Sequence, residues 1–162
     1  MGAVALAERR RERDTGRAMS QENAERFARL TESFNRLASA TAEASDRGDA
    51  LRAWVGSMDP EVQFEPQQAA LQGTYVGRDG VTQWIADLVE HYEIGGNIRF
   101  SDVRDLDDRV LAIGTLHFTG RGSGIETEAP VAILATFRDG LITHFKDYGD
   151  NDKALQAAGL SE

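Results

Sequence analysis

The chain has 162 residues, 41% of them hydrophobic, with a net charge of −9 and no cysteine. That is one domain's worth with enough apolar content for a core; the missing cysteine excludes disulfides and thiolate chemistry, and no apolar run reaches the length of a membrane span. Residues 1–18 carry five arginines against Glu8, Glu12 and Asp14, a net +2, which leaves −11 on residues 19–162; a body this acidic repels phosphate backbones and anionic lipid and argues against nucleic-acid or membrane partners.

The basic cluster Arg9–Arg13 admits a reading as a nucleic-acid or membrane arm, but Glu12 interrupts it. Residues 1–18 are therefore expected to be a frayed, solvated extension, and residues 19–162 the folded domain, with Met19 as a second candidate start. The opening Met1–Ala7 is apolar, but its basic residues follow rather than precede it, the wrong order for a secretory signal. The expected location is the cytoplasm.

Ser20 is a candidate N-cap, followed by Glu22 and Glu25 where a helix dipole favours acid. Phe27, Leu30, Phe34, Leu37 and Thr41 recur at helical spacing and predict one amphipathic helix ending near Asp46-Arg47-Gly48. Asp49 is expected to cap a second helix with the stripe Leu51, Trp54, Val55 and Met58, ended by Asp59-Pro60. Val62–Pro66 reads as a short strand, confined by Pro66 to an edge or an end. A polar loop leads to Asp79, the expected cap of a third helix with Val81, Trp84, Ile85, Leu88 and Tyr92 on its apolar face, broken by Gly95-Gly96. Asn97–Leu106 predicts a strand, turning at Asp107-Asp108 into Arg109–Phe118. The glycine-rich loop Thr119–Gly124 then joins this strand to Ile125–Phe137. That loop connects two strands and precedes no helix, so a phosphate cradle is the wrong context for it; it is expected as a mobile hairpin loop at the lip of a pocket. Asp139-Gly140, between two apolar runs, is a strong hairpin signal, since a two-residue type I′ turn needs positive φ at both positions. Leu141–Tyr148 completes a meander, and Asn151–Ala158 predicts a closing helix with Gly159 beyond its end. Helices first and then a curled antiparallel sheet is an α+β arrangement, with a cavity where the sheet curls away from the helices.

Three segments carry a family resemblance: Arg47–Trp54 with Met58–Phe64, Tyr75–Val81, and Ala135–Ile142 continuing to Ala154–Leu160. Over about residues 20–160 the chain resembles the nuclear-transport-factor-2-like superfamily, and within it the SnoaL-like group. The resemblance implies a cone-shaped α+β barrel: a curved antiparallel sheet packed on three helices from the N-terminal half, enclosing an open-mouthed apolar pocket, usually in a homodimer. It does not imply one activity, because the superfamily holds isomerases, polyketide cyclases, dehydratases, epoxide hydrolases and non-catalytic binding modules.

Glu65 follows Phe64 at the end of the first strand. An acid among apolar neighbours at a pocket wall would have a raised pKa suited to proton transfer; the alternative is a solvated edge-strand acid. In ketosteroid isomerases, which the chain resembles here, the general base follows a Gly-Asp helix start by the spacing that separates Gly48-Asp49 from Glu65. The isomerase's tyrosine and protonated acid would fall at Thr41 and Leu134, which cannot do that work; Leu134 is left as an apolar lining residue. The run Phe145–Asp150 resembles the limonene-epoxide-hydrolase segment whose aspartate activates water, here Asp147, but the second acid of that triad is replaced by Leu111 beside Arg109. The alternative for Asp147 is a structural acid paired with Arg99 or Arg109. Strand alternation puts Thr143, Phe145 and Asp147 on one face and His144, Lys146 and Tyr148 on the other. His117 would be a proton shuttle beside Asp147 if its face is inward, and otherwise a hydrogen-bonded structural residue. His91 and His144 are expected to be exposed. Trp84, Tyr92, Phe64, Phe118 and Phe145 are expected in the core or against a ligand, and the Tyr92 hydroxyl is a candidate donor. Three scattered histidines make no ligand set, so no metal is expected. The whole reading is a cofactor-independent acid–base enzyme for a hydrophobic polyketide-, steroid- or terpenoid-like molecule, with a non-catalytic binding or dimerisation module as the alternative.

Overall fold

The structure is a computed structural model that describes residues 2–39, 43–67, 69–120 and 122–160, with side chains at all of these except 2–3, 12–20, 70–71 and 89–96. Helix α1 spans Gly2–Ala38 without a break. Ser20, expected to start it, lies in its interior: the preceding residues are rich in Ala, Glu and Arg, which propagate a helix, so no terminus forms at Ser20. Residues 4–11 are exposed, and burial begins further along, where Phe27, Leu30, Phe34 and Ala38 fall on one face.

Helix α1 ends at Ala38, earlier than expected, and α2 runs Ala44–Gly56; Thr41, the last residue of the expected stripe, lies outside the described residues. Gly48 and Asp49 sit inside it, Asp49 paired with Arg52. Glycine is tolerated there because burial of Ala50 and Trp54, one turn apart, anchors the helix to α1. Strand β1 is Met58–Glu65, and Pro66 follows its end. The expected polar loop contains a one-turn helix α3, Ala69–Gln72, and a two-residue strand β2, Tyr75–Val76. Helix α4 covers Gly77–His91. Strands β3 (Tyr92–Leu106), β4 (Arg109–Gly120), β5 (Glu126–Arg138) and β6 (Leu141–Asp147) follow, then α5 at Asn151–Ala157. Gly95-Gly96 lies within β3 rather than ending α4. Asp139 and Gly140 both have positive φ, at 53° and 78°, as the hairpin turn requires.

The sheet order is β2-β1-β6-β5-β4-β3. All neighbours are antiparallel except β1 and β6, which pair in parallel, so the sheet is mixed rather than wholly antiparallel. It curves without closing: β2 and β3 are its free edges, so the implied barrel is an open trough. Register shifts in β1, in β3 and between β5 and β6 supply the bends. One bend demands glycine, because a Cβ on Gly114 would stand 2.0 Å from the Arg99 carbonyl oxygen.

Helices α1, α2 and α4 pack into the trough. Val131, Ile133, Ala135 and Phe137 of β5 face them, while Ala132 and Leu134 point to the opposite face and are covered by Ala154 and Ala158 at α5. Buried on both faces, β5 reads in sequence as an unbroken apolar run. In β6 a bulge near Thr143 turns both Ile142 and Phe145 inward, although they are three residues apart.

Candidate functional site

The helices do not fill the trough completely. A cavity of about 260 Å3 remains, walled by α1 (Phe27, Leu30, Phe34), Trp54, Trp84 and the concave faces of β3 to β6. Its wall follows from strand alternation: Leu116 and Phe118 continue the inward row begun by Val110 and Ala112, and Phe145 faces them across β5. The rings pack closely: Phe64 is stacked 4.7 Å from Phe145 and tilted against Trp84 at 4.9 Å, and Trp54 stands 5.3 Å from Phe34.

Among the described residues, three polar side chains besides the two indoles reach this wall. Thr31 donates to its own helix, to the Phe27 carbonyl at 3.0 Å. Gln67 and Asp147 meet at the mouth, where Gln67 Nε2 donates to Asp147 Oδ2 at 3.0 Å and to the Pro130 carbonyl at 2.8 Å. Asp147 Oδ1 accepts the backbone N–H groups of Ala132 at 3.0 Å and Gly149 at 2.9 Å. Gly149 has φ 62°, and a Cβ there would press on the Gln67 carboxamide at 3.0 Å. Among the described residues the partners of Asp147 are these three, not Arg99 or Arg109; Arg109 instead donates to the Ala157 and Ala158 carbonyls at the end of α5.

Outside the mouth lies a wider, open cleft of about 990 Å3, lined by Glu65, Lys146, Asp150 and Lys153. It shares Pro66, Gln67 and Asp147 with the inner cavity, so Asp147 stands at the partition between a polar exterior and an apolar interior.

The structure separates the expected site residues. Asp147, Trp84, Phe118 and Phe145 line the cavity. Phe64 is wholly buried behind the rings. Glu65, next to Phe64, necessarily points to the other side of β1, into the outer cleft. Its pKa is lowered, not raised: the hydrogen bond from His144 (Nε2 to Oε2, 2.6 Å) outweighs the effect of burial, and Lys146 and Thr74 help. His144 is thus half-buried and joined to Glu65 rather than freely exposed. His117 alternates with the inward Leu116 and Phe118, so it faces outward, 3.1 Å from Glu128 Oε1 and not beside Asp147. Leu134 belongs to the cluster under α5, on the far side of the sheet. The Tyr92 and His91 side chains lie outside the described residues.

Sequence reasoning placed Trp54 only as packing, although it forms part of the wall, and missed Gln67. No local signal marks a glutamine in a polar loop as a partner of an aspartate 80 residues away. Among the described residues no three His, Asp or Glu side chains form a metal-ligand set. Among them, too, no helix is long and apolar enough to cross a membrane.

Comparison with known proteins gives the same architecture. An NTF2-like protein of unknown function from Burkholderia pseudomallei K96243 is similar at TM-score 0.64 and 17% identity, over 83% of this chain and 95% of its own. A SnoaL-like protein of Jannaschia sp. CCS1, described as a polyketide cyclase, is similar at TM-score 0.65 and 17% identity, over 89% and 95%. TerC, co-crystallised with polyporic acid, is similar at TM-score 0.63 and 19% identity, over 85% and 98%. At these identities the likeness shows the fold alone. No curated protein matches the sequence. The family model of the SnoaL-like domain matches residues 38–145, two thirds of the chain and nearly all the elements that build the cavity, and the chain therefore belongs to the SnoaL-like domain family.

Proposed function

We propose that the protein binds a hydrophobic small molecule in the inner cavity and performs acid–base chemistry on it without a cofactor, with Asp147 as the proton-transferring group. One observation carries this reading: Asp147 is the single charged side chain among the described residues that line an otherwise uncharged, mostly apolar cavity. Its three donors fix the orientation of the carboxylate. Oδ2 accepts from Gln67 alone, so it keeps acceptor capacity for a substrate proton. Isomerisation, cyclisation, dehydration and epoxide hydration all begin with such a transfer. Glu65 and His117, on outward faces, do not touch a ligand in this cavity. The polyporic acid of TerC and the description of the Jannaschia protein as a polyketide cyclase support a small-molecule ligand.

The test begins with native mass spectrometry of protein purified from its host, to identify a co-purified guest. Turnover of that guest is then compared between wild type and Asp147→Asn. The expected loss in kcat is about 10²-fold or more. An unchanged rate, or no turnover by wild type, favours the second reading, a non-catalytic binding module. That reading has its own support: three donors already engage Asp147, as they would a purely structural carboxylate.

On the family likeness we also propose a homodimer. Sedimentation at high protein concentration showing only the monomer mass of 17.7 kDa would remove it.

A further inference from the structure

The inner cavity is small for a ligand site. Its volume of about 260 Å3 is less than twice the roughly 150 Å3 of an apolar cavity that holds one benzene, and it lies below the roughly 300–1,000 Å3 of pockets for drug-sized molecules. In proportion it seats about ten non-hydrogen atoms, which is one or two fused rings. The wall resists enlargement. Phe34, Trp54, Trp84 and Phe145 are all buried and form one block of rings in mutual contact, backed by the wholly buried Phe64. A close-packed block of this kind shifts only at the cost of strain. At the mouth the surroundings turn polar, with Gln67 and Asp147 followed by Glu65, Lys146, Asp150 and Lys153 of the outer cleft. An apolar ring protruding there would strip water from charged groups and gain little. Two wall residues control the free volume directly. Leu116 of β4 and Ala129 of β5 are register partners, both half-buried and both on the cavity wall.

We infer that the cavity takes an apolar body of one or two fused rings and rejects the four-ring bodies of steroids and tetracyclic polyketides, with Leu116 and Ala129 as specificity-determining residues. This inference rests on the cavity being a ligand site, and it narrows the ligand class from hydrophobic to hydrophobic and no larger than a bicycle. Lengthening the side chain at Ala129 fills the space, and shortening it at Leu116 adds to it.

Four ketones of rising size test it by equilibrium dialysis against the full chain: cyclohexanone, 1-tetralone, 9-fluorenone and progesterone, with one, two, three and four rings. If size set no limit, each added ring would tighten binding by the apolar surface it removes from water. In wild type the affinity is instead expected to peak at tetralone, about tenfold or more above cyclohexanone and above progesterone. Leu116→Ala should move the peak to fluorenone. Ala129→Leu should weaken tetralone about tenfold or more while cyclohexanone changes by less than about threefold. A wild-type peak at any other ketone, in binding that still responds to Ala129→Leu, overturns the size limit but leaves the cavity a ligand site. A single variant without its expected change overturns the role of that residue. Binding that neither variant alters places the ketones elsewhere, and it overturns the cavity reading and this inference together, as does failure of all four to bind. Should both variants fail to fold, the wild-type series decides: affinity that climbs through progesterone overturns the inference.

Discussion

Asp147 and Glu65 show how two carboxylates close in space acquire different roles from the direction of one side chain. Asp147 is gripped by two backbone N–H groups and Gln67. Asp147→Ala would orphan the N–H of Ala132 on a buried strand, so it should cost about 1–3 kcal/mol of stability. Asp147→Asn keeps the shape, and comparing the two in urea unfolding separates structure from chemistry. Glu65 contributes differently. Its pKa is held below the ordinary 4.5, first by the hydrogen bond from His144. A lowered carboxylate adds stability that is fully present above its unfolded-state value and is lost as the pH falls through the folded value. Wild type should therefore exceed Glu65→Gln by up to about 1 kcal/mol at pH 7, the scale of a partly exposed pair. The gap should close toward pH 3. A gap of equal size at both pH values would show that ionisation of Glu65 plays no part. Ligand affinity should be unchanged in Glu65→Gln, because the side chain faces the outer cleft.

The strands and helices place these residues through a few local choices. Gly114 lets β3 and β4 cross at close range, and even Gly114→Ala would drive a Cβ to 2.0 Å from a backbone oxygen. The expected loss is more than about 2 kcal/mol, since backbone on both strands must move. Gly48 is the contrasting case. It lies mid-helix in α2, and a Cβ there would meet only Arg52 at 3.7 Å. Gly48→Ala should raise stability by about 0.5–1 kcal/mol in the same assay. In α1 the described side chains from Val4 to Arg11 are exposed, and the core contacts start near Asn23 and Phe27. Removing residues 1–18 should shift unfolding by less than about 1 kcal/mol; a larger loss would reveal a contact made by that part of the helix.

For the molecule as a whole, the cavity links fold to function. A helix layer over an open, curved sheet leaves a space that aromatic rings narrow but do not close, with one carboxylate at its mouth. A ligand that occupies it at about 100 times its Kd should stabilise the protein by about 2.7 kcal/mol, read as a rise in Tm. The hairpins, the Asp139-Gly140 turn, the buried stripes of α1 and α4 and the family likeness were legible in the sequence because each is written in spacings of two, three or four residues. Alternation also tied Asp147 to Phe145 on one face, whereas the expectation that Phe64 and Glu65 both meet the pocket conflicts with the same rule. Helix ends were less legible: Ser20 and Asp49 have the chemistry of caps, but the cap is used only where the chain leaves the helix, and packing of α1 and α2 set those points elsewhere. The sequence by itself therefore determined the main helices and strands and, away from bulges, the relative phase of side chains along a strand. Only the tertiary structure decided which phase faces the cavity, that β1 runs parallel to β6 so that Glu65 meets His144, and that Gln67 closes on Asp147. The physical reason is that periodicity acts within a few residues, whereas these pairings join residues about 80 apart.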